Sequence, residues 1–240
     1  MVILAFFITH WYLSLFTQTI FLHRYVSHGM FKMNKFWERF FFLLTFFAQG
    51  SSFLNPAAYG IMHRKHHAHS DTNKDPHSPL SFKNPIKFML ETFSFYSQTI
   101  LKNKNKDLRN TGLPQWKFIE TLGESMLVRV LFVAFYTLIY IKFAPSIWLY
   151  CLIPFHIFMG PIHGFIVNWF GHKTGYRNFN ELKDNSKNSL PIDFLMMGEL
   201  YQNNHHKKPN NLNFAEKWFE FDIGYLTCFL LKKIKIIHNK

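Results

Sequence analysis

Histidine is the residue type in this sequence most suited to chemistry, because the 240-residue chain has 14 histidines and half of them lie in three short clusters. The clusters are HRYVSH with His23 and His28, HRKHH with His63, His66 and His67, and QNNHH with His205 and His206. Imidazole is the commonest protein metal ligand near neutral pH, and groups of imidazoles suit zinc, copper, iron or nickel. Each cluster alone is a weak signal, but the three together predict a metal site.

The spacing within the second cluster indicates a helix. Residues i, i+3 and i+4 lie on one face of an α-helix, so HRKHH places three imidazoles on the same face. The chain has neither the HExxH of zinc proteases nor the ExxH of ferritin-like di-iron proteins, so an iron pair here would rest mainly on neutral nitrogen ligands. The two cysteines, Cys151 and Cys228, form no CxxC and indicate neither a disulfide framework nor a thiolate site.

The elements that must position these histidines are those of a membrane protein. The chain is 48% hydrophobic yet carries a formal net charge of +13, so apolar and basic segments must be kept apart. A membrane-crossing helix needs about 20 apolar residues, and three segments qualify, at 2–22, 126–143 and 147–167. The first lacks the basic start and cleavage site of a signal peptide and is expected to remain in the mature protein.

A fourth apolar segment, 36–54, contains Glu38, Arg39 and Gln49. If the three clusters share one site, they must lie on one side of the bilayer, so this segment should lie in the interface or re-enter rather than cross. We therefore predict an all-α membrane protein with about three transmembrane helices, an interfacial helix and a cytoplasmic helical cap that carries the histidine clusters. Residues 1–240 should form a single domain, with 168–240 on the cytoplasmic side, where basic residues collect.

The net positive charge can be explained by several kinds of binding partner. The chain shows no recognisable nucleic-acid-binding module, and its basic residues flank apolar spans, so no nucleic acid partner is expected. Anionic lipid headgroups or a phosphate-bearing substrate explain the charge better. Lys102, Lys104, Lys106 and Arg109 could bind phosphates, although a solvated loop explains them equally well.

These motifs resemble those of the membrane fatty acid desaturases, whose members include the stearoyl-CoA desaturases. HRYVSH resembles the first histidine box of the family (HxxxxH), HRKHH the second (HxxHH) and QNNHH the third, while DPH at 75–77 and NWFGH at 168–172 resemble two further segments. The resemblance runs from about residue 8 to residue 209. It implies metal ligation by His23, His28, His63, His66, His67, His172, His205 and His206, with Asn168 acting through a water.

Metal-binding histidines also need hydrogen-bond partners for the second ring nitrogen, and acids near the clusters in sequence could serve. Asp71, Asp75 and Glu199 are candidates, and for Asp75 an ordinary surface acid is the favoured reading. Two departures from the family pattern stand out. Gln202 occupies the position where acyl-CoA desaturases usually have a histidine, so one ligand could be an amide oxygen, a water or absent. Family members also usually have a further transmembrane helix before the one that leads into the first box.

The implied cofactors are two Fe ions with O2 as co-substrate, reduced by an external donor such as ferredoxin, cytochrome b5 or a flavin reductase. The implied substrate is a fatty acyl chain esterified to CoA, a carrier protein or a phospholipid, with membrane lipids as neighbours. Two alternatives stay open, a hydroxylase that uses the same boxes and a degenerate homologue that binds metal or lipid without turnover. Among the other histidines, His163 is expected to be a hydrogen-bonded core residue, and no special role is expected for His10, His69, His156 and His238.

Overall fold

The computed structural model describes all 240 residues and is built almost entirely of helices. Its α-helices are α1 (Val2–Phe16), α2 (Lys35–Gln49), α3 (Pro56–His69), α4 (Pro85–Asn103), α5 (Lys117–Glu124), α6 (Met126–Phe143), α7 (Ile153–Ile157), α8 (Met159–Lys173), α9 (Gln202–Lys207) and α10 (Ile223–Lys233). The other helical segments are a π-helix (Thr17–Ser27) and 3₁₀ segments at Gly50–Ser52, Pro79–Ser81, Arg109–Thr111 and Ile147–Leu152. Two short strands, β1 (Phe31–Lys32) and β2 (His238–Asn239), pair antiparallel. The predicted all-α fold class is confirmed.

Two continuous helices are long and apolar enough to cross a bilayer. The first joins α1 to the π-helix over Val2–Ser27, and the second is α6, whose outward side carries exposed leucine, valine and phenylalanine side chains. A third crossing is available if the bent pair Ile147–Ile157 and Met159–Lys173 acts as one span. The three predicted transmembrane helices thus correspond to two continuous helices and one broken one.

The third span is not the straight helix that its sequence suggests, because its two parts meet at an angle of 76°. Pro161 has no backbone N–H, and its ring would clash with the carbonyl of Ile157, four residues earlier, so the first part ends there. Two serines satisfy the polar backbone near the break. The Ser51 hydroxyl donates to the Ile157 carbonyl (3.0 Å), and the Gly160 N–H donates to the Ser52 hydroxyl (3.0 Å). Backbone inside a membrane needs such partners.

Helix α2 is too short to cross the membrane on its own. Its 15 residues extend roughly 22 Å, against about 30 Å of hydrocarbon. The Asn34 side chain begins it by accepting a hydrogen bond from the Trp37 N–H (3.0 Å). One side of α2 is buried through Phe41 and Phe42, and Phe36 on the other side is exposed. This arrangement agrees with an interfacial or re-entrant element.

Helix α3 packs against the π-helix and brings the first and second histidine clusters together. It begins at Pro56, and the preceding Asn55 side chain accepts the N–H of Ala58 (3.1 Å). The approach is close at Gly60, where a Cβ would lie 3.1 Å from Val26 Cγ1 of the π-helix and 2.6 Å from Leu113 Cδ2. A larger residue would have to displace these side chains, so the absence of a side chain at Gly60 lets α3 pack close to the π-helix.

Candidate metal centre

Five imidazoles from all three clusters converge at one point between the π-helix, α3 and α9. Their nearest ring nitrogens all lie within 4.8 Å of one another. This five-histidine group consists of His23, His28, His63, His67 and His205. The sequence predicted that these residues would share a site, and the structure places them together.

The π-helix explains why the first box has its HxxxxH spacing. In an α-helix, residues five apart point about 140° away from each other, since each residue turns by about 100°. In a π-helix the hydrogen bonds run from residue i+5 to residue i, and the N–H of His28 donates to the carbonyl of His23 at 3.2 Å. The two imidazoles therefore lie on the same side, with ring centroids 5.0 Å apart.

The nitrogen contacts within the five-histidine group fit a bound cation. Nε2 atoms of neighbouring rings are separated by 3.0 Å (His23 to His205), 3.0 Å (His205 to His67), 3.0 Å (His67 to His63) and 2.8 Å (His63 to His28). Two nitrogens that bind one ion at ~2.0–2.1 Å, as in zinc–imidazole bonds, and subtend a right angle there are ~2.8–3.0 Å apart. A shared metal accounts for all four contacts. Without it, lone pairs of neutral imidazoles would point at each other.

The charge state of these rings supports the same reading. Burial, with further contributions from neighbouring histidines, holds the pKa of His63, His67 and His205 well below the usual histidine value. These imidazoles are therefore neutral at pH 7, and neutral imidazole is the form that binds a metal.

A second set, the three-histidine group, consists of His66, His172 and His206. In each of these residues the Nε2 atom is buried and has no hydrogen-bond partner in the protein. Buried nitrogens are normally hydrogen-bonded, so three orphaned atoms that converge need an explanation. A second metal ion supplies one, because each Nε2 would then donate its lone pair.

Carboxylates hold the other ring nitrogen of each member of the three-histidine group. The Nδ1–H of His66 donates to Asp75 (2.9 Å) and that of His172 to Asp71 (2.9 Å). That of His206 donates to Asp184 (2.8 Å). Such bonds fix the tautomer that leaves Nε2 free for a metal and hold the ring in place.

The ionisation of these carboxylates agrees with their role. Burial is the largest single influence and would raise the pKa of Asp71 and Asp184. The hydrogen bonds and charges of His172 and His206, together with hydrogen bonds from neighbouring groups, outweigh burial and leave both pKa values below the usual range. The favoured reading of Asp75 as an ordinary surface acid is wrong. Its side chain has no exposed area, because the loop that follows α3 folds back and places it against His66.

Glu199 serves the five-histidine group in a comparable way. Its Oε2 lies 2.5 Å from His23 Nδ1, and its Oε1 accepts a hydrogen bond from Arg24 (2.6 Å). Arg24 is completely buried and also bonds both oxygens of Asp222 (3.0 and 2.9 Å). The arginine of the first box therefore links the π-helix to the segments on either side of the third box. The sequence did not single out Arg24 or Asp222.

The two asparagines of QNNHH, Asn203 and Asn204, hold the third box in place through side-chain hydrogen bonds. The side-chain oxygen of Asn203 (Oδ1) accepts hydrogen bonds from the backbone N–H groups of Asn178 (2.9 Å) and Phe179 (2.8 Å). The Asn204 amide donates to the Phe214 carbonyl (2.8 Å) and to Glu220 (2.9 Å). These bonds pin the short helix α9 inside loops that have little regular structure, so they position His205 and His206 without contacting a metal.

Asn168 and Gln202 belong to neither histidine group. Both line one cavity together with His23 and His63 of the five-histidine group. The Gln202 amide donates to the Glu199 carbonyl (2.7 Å), and the Asn168 amide donates to the Gly164 carbonyl (2.8 Å). The three-histidine group has two imidazoles fewer than the five-histidine group.

His163 lines the same cavity, and its surroundings differ from the expectation. It is fully buried as predicted, but neither ring nitrogen has a hydrogen-bond partner in the protein. The ring packs edge-on against Trp11, with centroids 4.5 Å apart.

His10 and His156, for which no role was expected, form a buried pair with Nδ1 atoms 2.6 Å apart. His77 of the DPH segment packs near His66, outside both groups.

Asp184 is the carboxylate partner of a candidate ligand that sequence reasoning missed. It lies in the loop between α8 and α9, where no motif singled it out. Metal ligation by the predicted residues, including those with carboxylate partners, stays a prediction.

Comparison with known proteins gives a consistent family. The chain matches the family model described as "Fatty acid desaturase" over residues 1–214. It is 30% identical over 221 residues to the "Delta-9 desaturase-like 4 protein" of Arabidopsis thaliana, with 91% of this chain and 69% of that protein covered. It is 26% identical to the "sn-1 stearoyl-lipid 9-desaturase" of Anabaena variabilis (92% and 77% covered) and 26% identical to the "Acyl-CoA C20 Delta5-desaturase" of Anemone leveillei (91% and 67% covered). A protein from Moorena producens, the "Hex-5-enoyl-[acyl-carrier protein] acetylenase", is 23% identical (95% and 73% covered). The chain belongs to the fatty acid desaturase family.

Proposed function

We propose that this protein is an O2-dependent fatty acyl desaturase whose two histidine groups hold two iron ions on the cytoplasmic side of a membrane. Family membership supports fatty acid desaturation as the general activity. The observation that carries the metal assignment is the three-histidine group, in which every Nδ1–H is held by a carboxylate and every Nε2 is buried without a protein partner.

No amino-acid side chain can remove hydrogen from an unactivated methylene, so a cofactor is needed. When bound and reduced by an external donor, an iron pair would supply the activation of O2 that converts CH2–CH2 to CH=CH. The two hydrogens removed from the acyl chain, two electrons from the donor and two protons would together reduce O2 to two waters. The five-histidine group would hold one iron and the three-histidine group the other. Because all eight ligands are neutral, much of the metal charge would be retained at the site.

The protein's side chains orient the imidazoles and exclude water from the site. Asp71, Asp75 and Asp184 keep the imidazoles in the tautomer with Nε2 free. Glu199 and Arg24 do the same for the first box through a buried ion pair. Since the side chains of the three-histidine group are at most 2% exposed, bulk water has little access to the Nε2 atoms.

The cavity beside the five-histidine group is the place where we expect the reacting methylene. Its lining includes His23, His63, Asn168 and Gln202. Val167, together with Leu15 and Met196, gives it an apolar wall. An acyl chain in this cavity would lie between residues of the spans and next to the histidines, so its position would decide where the double bond forms.

The head group of the substrate stays open among three classes. The relatives named above include one named for an acyl-CoA, one for a lipid and one for an acyl-carrier protein. In the basic loop after α4, Arg109 is already paired with Asp107 (2.7 Å). Lys102 and Lys104 remain exposed and could contact a phosphate. The electron donor would be a ferredoxin, cytochrome b5 or a flavin reductase.

The test is to express the chain with a reductase system in a desaturase-deficient host and to analyse total fatty acids by gas chromatography with mass spectrometry, including double-bond location. We expect a new unsaturated acid. His66→Ala should abolish it, while His69→Ala, on the same helix but outside both groups, should not. Membrane-fraction immunoblots would verify that both variants insert. A hydroxylated product would support the hydroxylase instead, and equal activity of His66→Ala would contradict the metal assignment.

A further inference from the structure

Two segments of the C-terminal part expose large apolar side chains to the surroundings. In the loop before the third box, Ile192 is 54% exposed and Phe194 is 64% exposed. In α10 the exposed residues recur at helical spacing, which gives the helix an apolar stripe opposite the side buried at Gly224 and Cys228. We call this surface the C-terminal rim; it consists of Ile192, Phe194, Leu195, Tyr225, Leu226, Phe229 and Leu230.

The loop part of the C-terminal rim lies beside the first span. The Trp11 indole N–H donates to the Leu195 carbonyl (3.3 Å), and the Tyr12 hydroxyl donates to the Phe194 carbonyl (3.2 Å). Trp11 is 12 residues before His23 along this span, which is roughly 18 Å of helix. Trp11 and Tyr12 both lie within the span Val2–Ser27. The loop part of the C-terminal rim therefore runs beside a helix that is apolar enough to cross the bilayer.

Helix α10 also begins close to the first span. Its first residue, Ile223, packs against the cluster formed by Leu15, Met196, Met197 and Leu200. The Gly224 N–H donates to the Met197 carbonyl (2.9 Å), which fixes the start of the helix to this cluster. Since Leu15 belongs to the first span, α10 starts beside that span.

Helices α10 and α2 bury one side each in the same cluster. Cys228 of α10 belongs to the buried cluster that contains Phe41 and Phe42 of α2, and Leu231 packs against it. The opposite side of α2 exposes Phe36 and other phenylalanines. Both helices therefore have a buried apolar side and an exposed apolar side, as expected of helices that lie against lipid.

The charge at the end of α10 suits an anionic lipid surface. Lys232, Lys233 and Lys235 are all exposed. The only acid in residues 221–240 is Asp222, which is buried against Arg24 and leaves the lysines uncompensated. Lysines that flank an apolar stripe are typical of helices that lie in the headgroup region of a membrane.

We propose that the C-terminal rim is inserted in the membrane interface, with its apolar side chains among the acyl chains and the lysines of α10 at lipid phosphates. The occupant of this surface is lipid rather than another protein chain. This inference moves part of the predicted cytoplasmic segment 168–240 into the bilayer. It does not depend on the chemistry proposed for the metal centre.

The test is nitroxide accessibility in the whole protein, reconstituted in nanodiscs of phosphatidylcholine with a minority of phosphatidylglycerol. Single labels would be placed by Phe229→Cys and Leu226→Cys in a background with Cys151→Ser and Cys228→Ala. Leu138→Cys, on the exposed face of α6, is the lipid reference, and Asn210→Cys, in the turn after α9, is the water reference. Collision rates with oxygen and with a water-soluble nickel chelate would be compared by electron paramagnetic resonance.

We expect the oxygen-to-nickel ratio at both rim positions to match the ratio at the lipid reference. A ratio equal to that at Asn210→Cys would overturn the proposal, because the rim would then face water. Low collision rates with both reagents would also overturn it, since the rim would then be covered by protein. The two rim labels lie three residues apart, so a folding defect in one variant leaves the other as an independent measurement.

Discussion

The carboxylate behind His206 provides the sharpest test of how the three-histidine group is built. Asp184 accepts the His206 Nδ1–H with one oxygen (2.8 Å), while its other oxygen accepts the N–H (3.0 Å) and the hydroxyl (2.5 Å) of Ser186. In Asp184→Asn the carbonyl oxygen should stay with Ser186, so the amide NH2 faces His206. The imidazole must then accept at Nδ1 and carry its proton on Nε2, the tautomer that cannot bind a metal.

The size of the effect follows from the exposure of the carboxylate. Loss of such a partner costs about 10–100-fold in metal affinity. The Asp184 side chain is 13% exposed, so water can replace part of the interaction, and we expect the lower end, about tenfold or ~1.4 kcal/mol. Iron retained per chain during titration with a chelator would measure it. Asp107→Asn, which removes an exposed partner of Arg109, is the matched control. Unchanged iron retention in Asp184→Asn would refute the tautomer argument.

Three further predictions concern neighbouring positions. Gly171→Ala should lower the product yield, because a Cβ there would lie 2.4 Å from Gln202 Cγ. Gly164→Ala, on the same helix, is the control and should be tolerated, because its Cβ would meet nothing closer than 3.9 Å. Comparable product yields from the two variants would contradict this prediction. Glu199→Gln should lower the free energy of unfolding by up to about 3 kcal/mol, the lower end of the cost of breaking a buried ion pair, because Arg24 keeps its bonds to Asp222. A thermal melt that matches the parent protein would show that the ion pair does not stabilise the fold. Gln202→His should raise iron retention, and a loss of folded protein in size-exclusion chromatography would show that this position cannot accept an imidazole.

The separate histidine boxes were predictable because their spacing is local, but their division between two groups was not. HRKHH predicted three imidazoles on one face of a helix, and the structure sends His63 and His67 to one group and His66 to the other. A single turn of helix places these residues close together, yet which neighbour each ring meets depends on α8 and α9, far away in the sequence. The π-helix that aligns His23 with His28 was also not predicted, since its cause lies in packing rather than in helix propensity.

Other structural features depend on residues whose role was not recognised from the sequence. Pro161 marks the break in the third span, and the small polar residues Ser51 and Ser52 fill that break, but only the structure shows that they meet. Asp184 lies in an irregular loop, and no periodicity relates it to His206, 22 residues later. Contacts between loops are set by the whole fold, so a sequence read segment by segment does not reveal them.

Metal content and spectroscopy of the purified protein would show whether eight histidines build two separate metal centres. We expect two irons per chain, with iron X-ray absorption dominated by nitrogen ligands. We also expect His205→Ala and His172→Ala each to lower the iron content mainly at one centre, which Mössbauer spectra can distinguish. One iron per chain, or two irons whose spectra do not respond to either substitution, would show that the histidines do not form two centres.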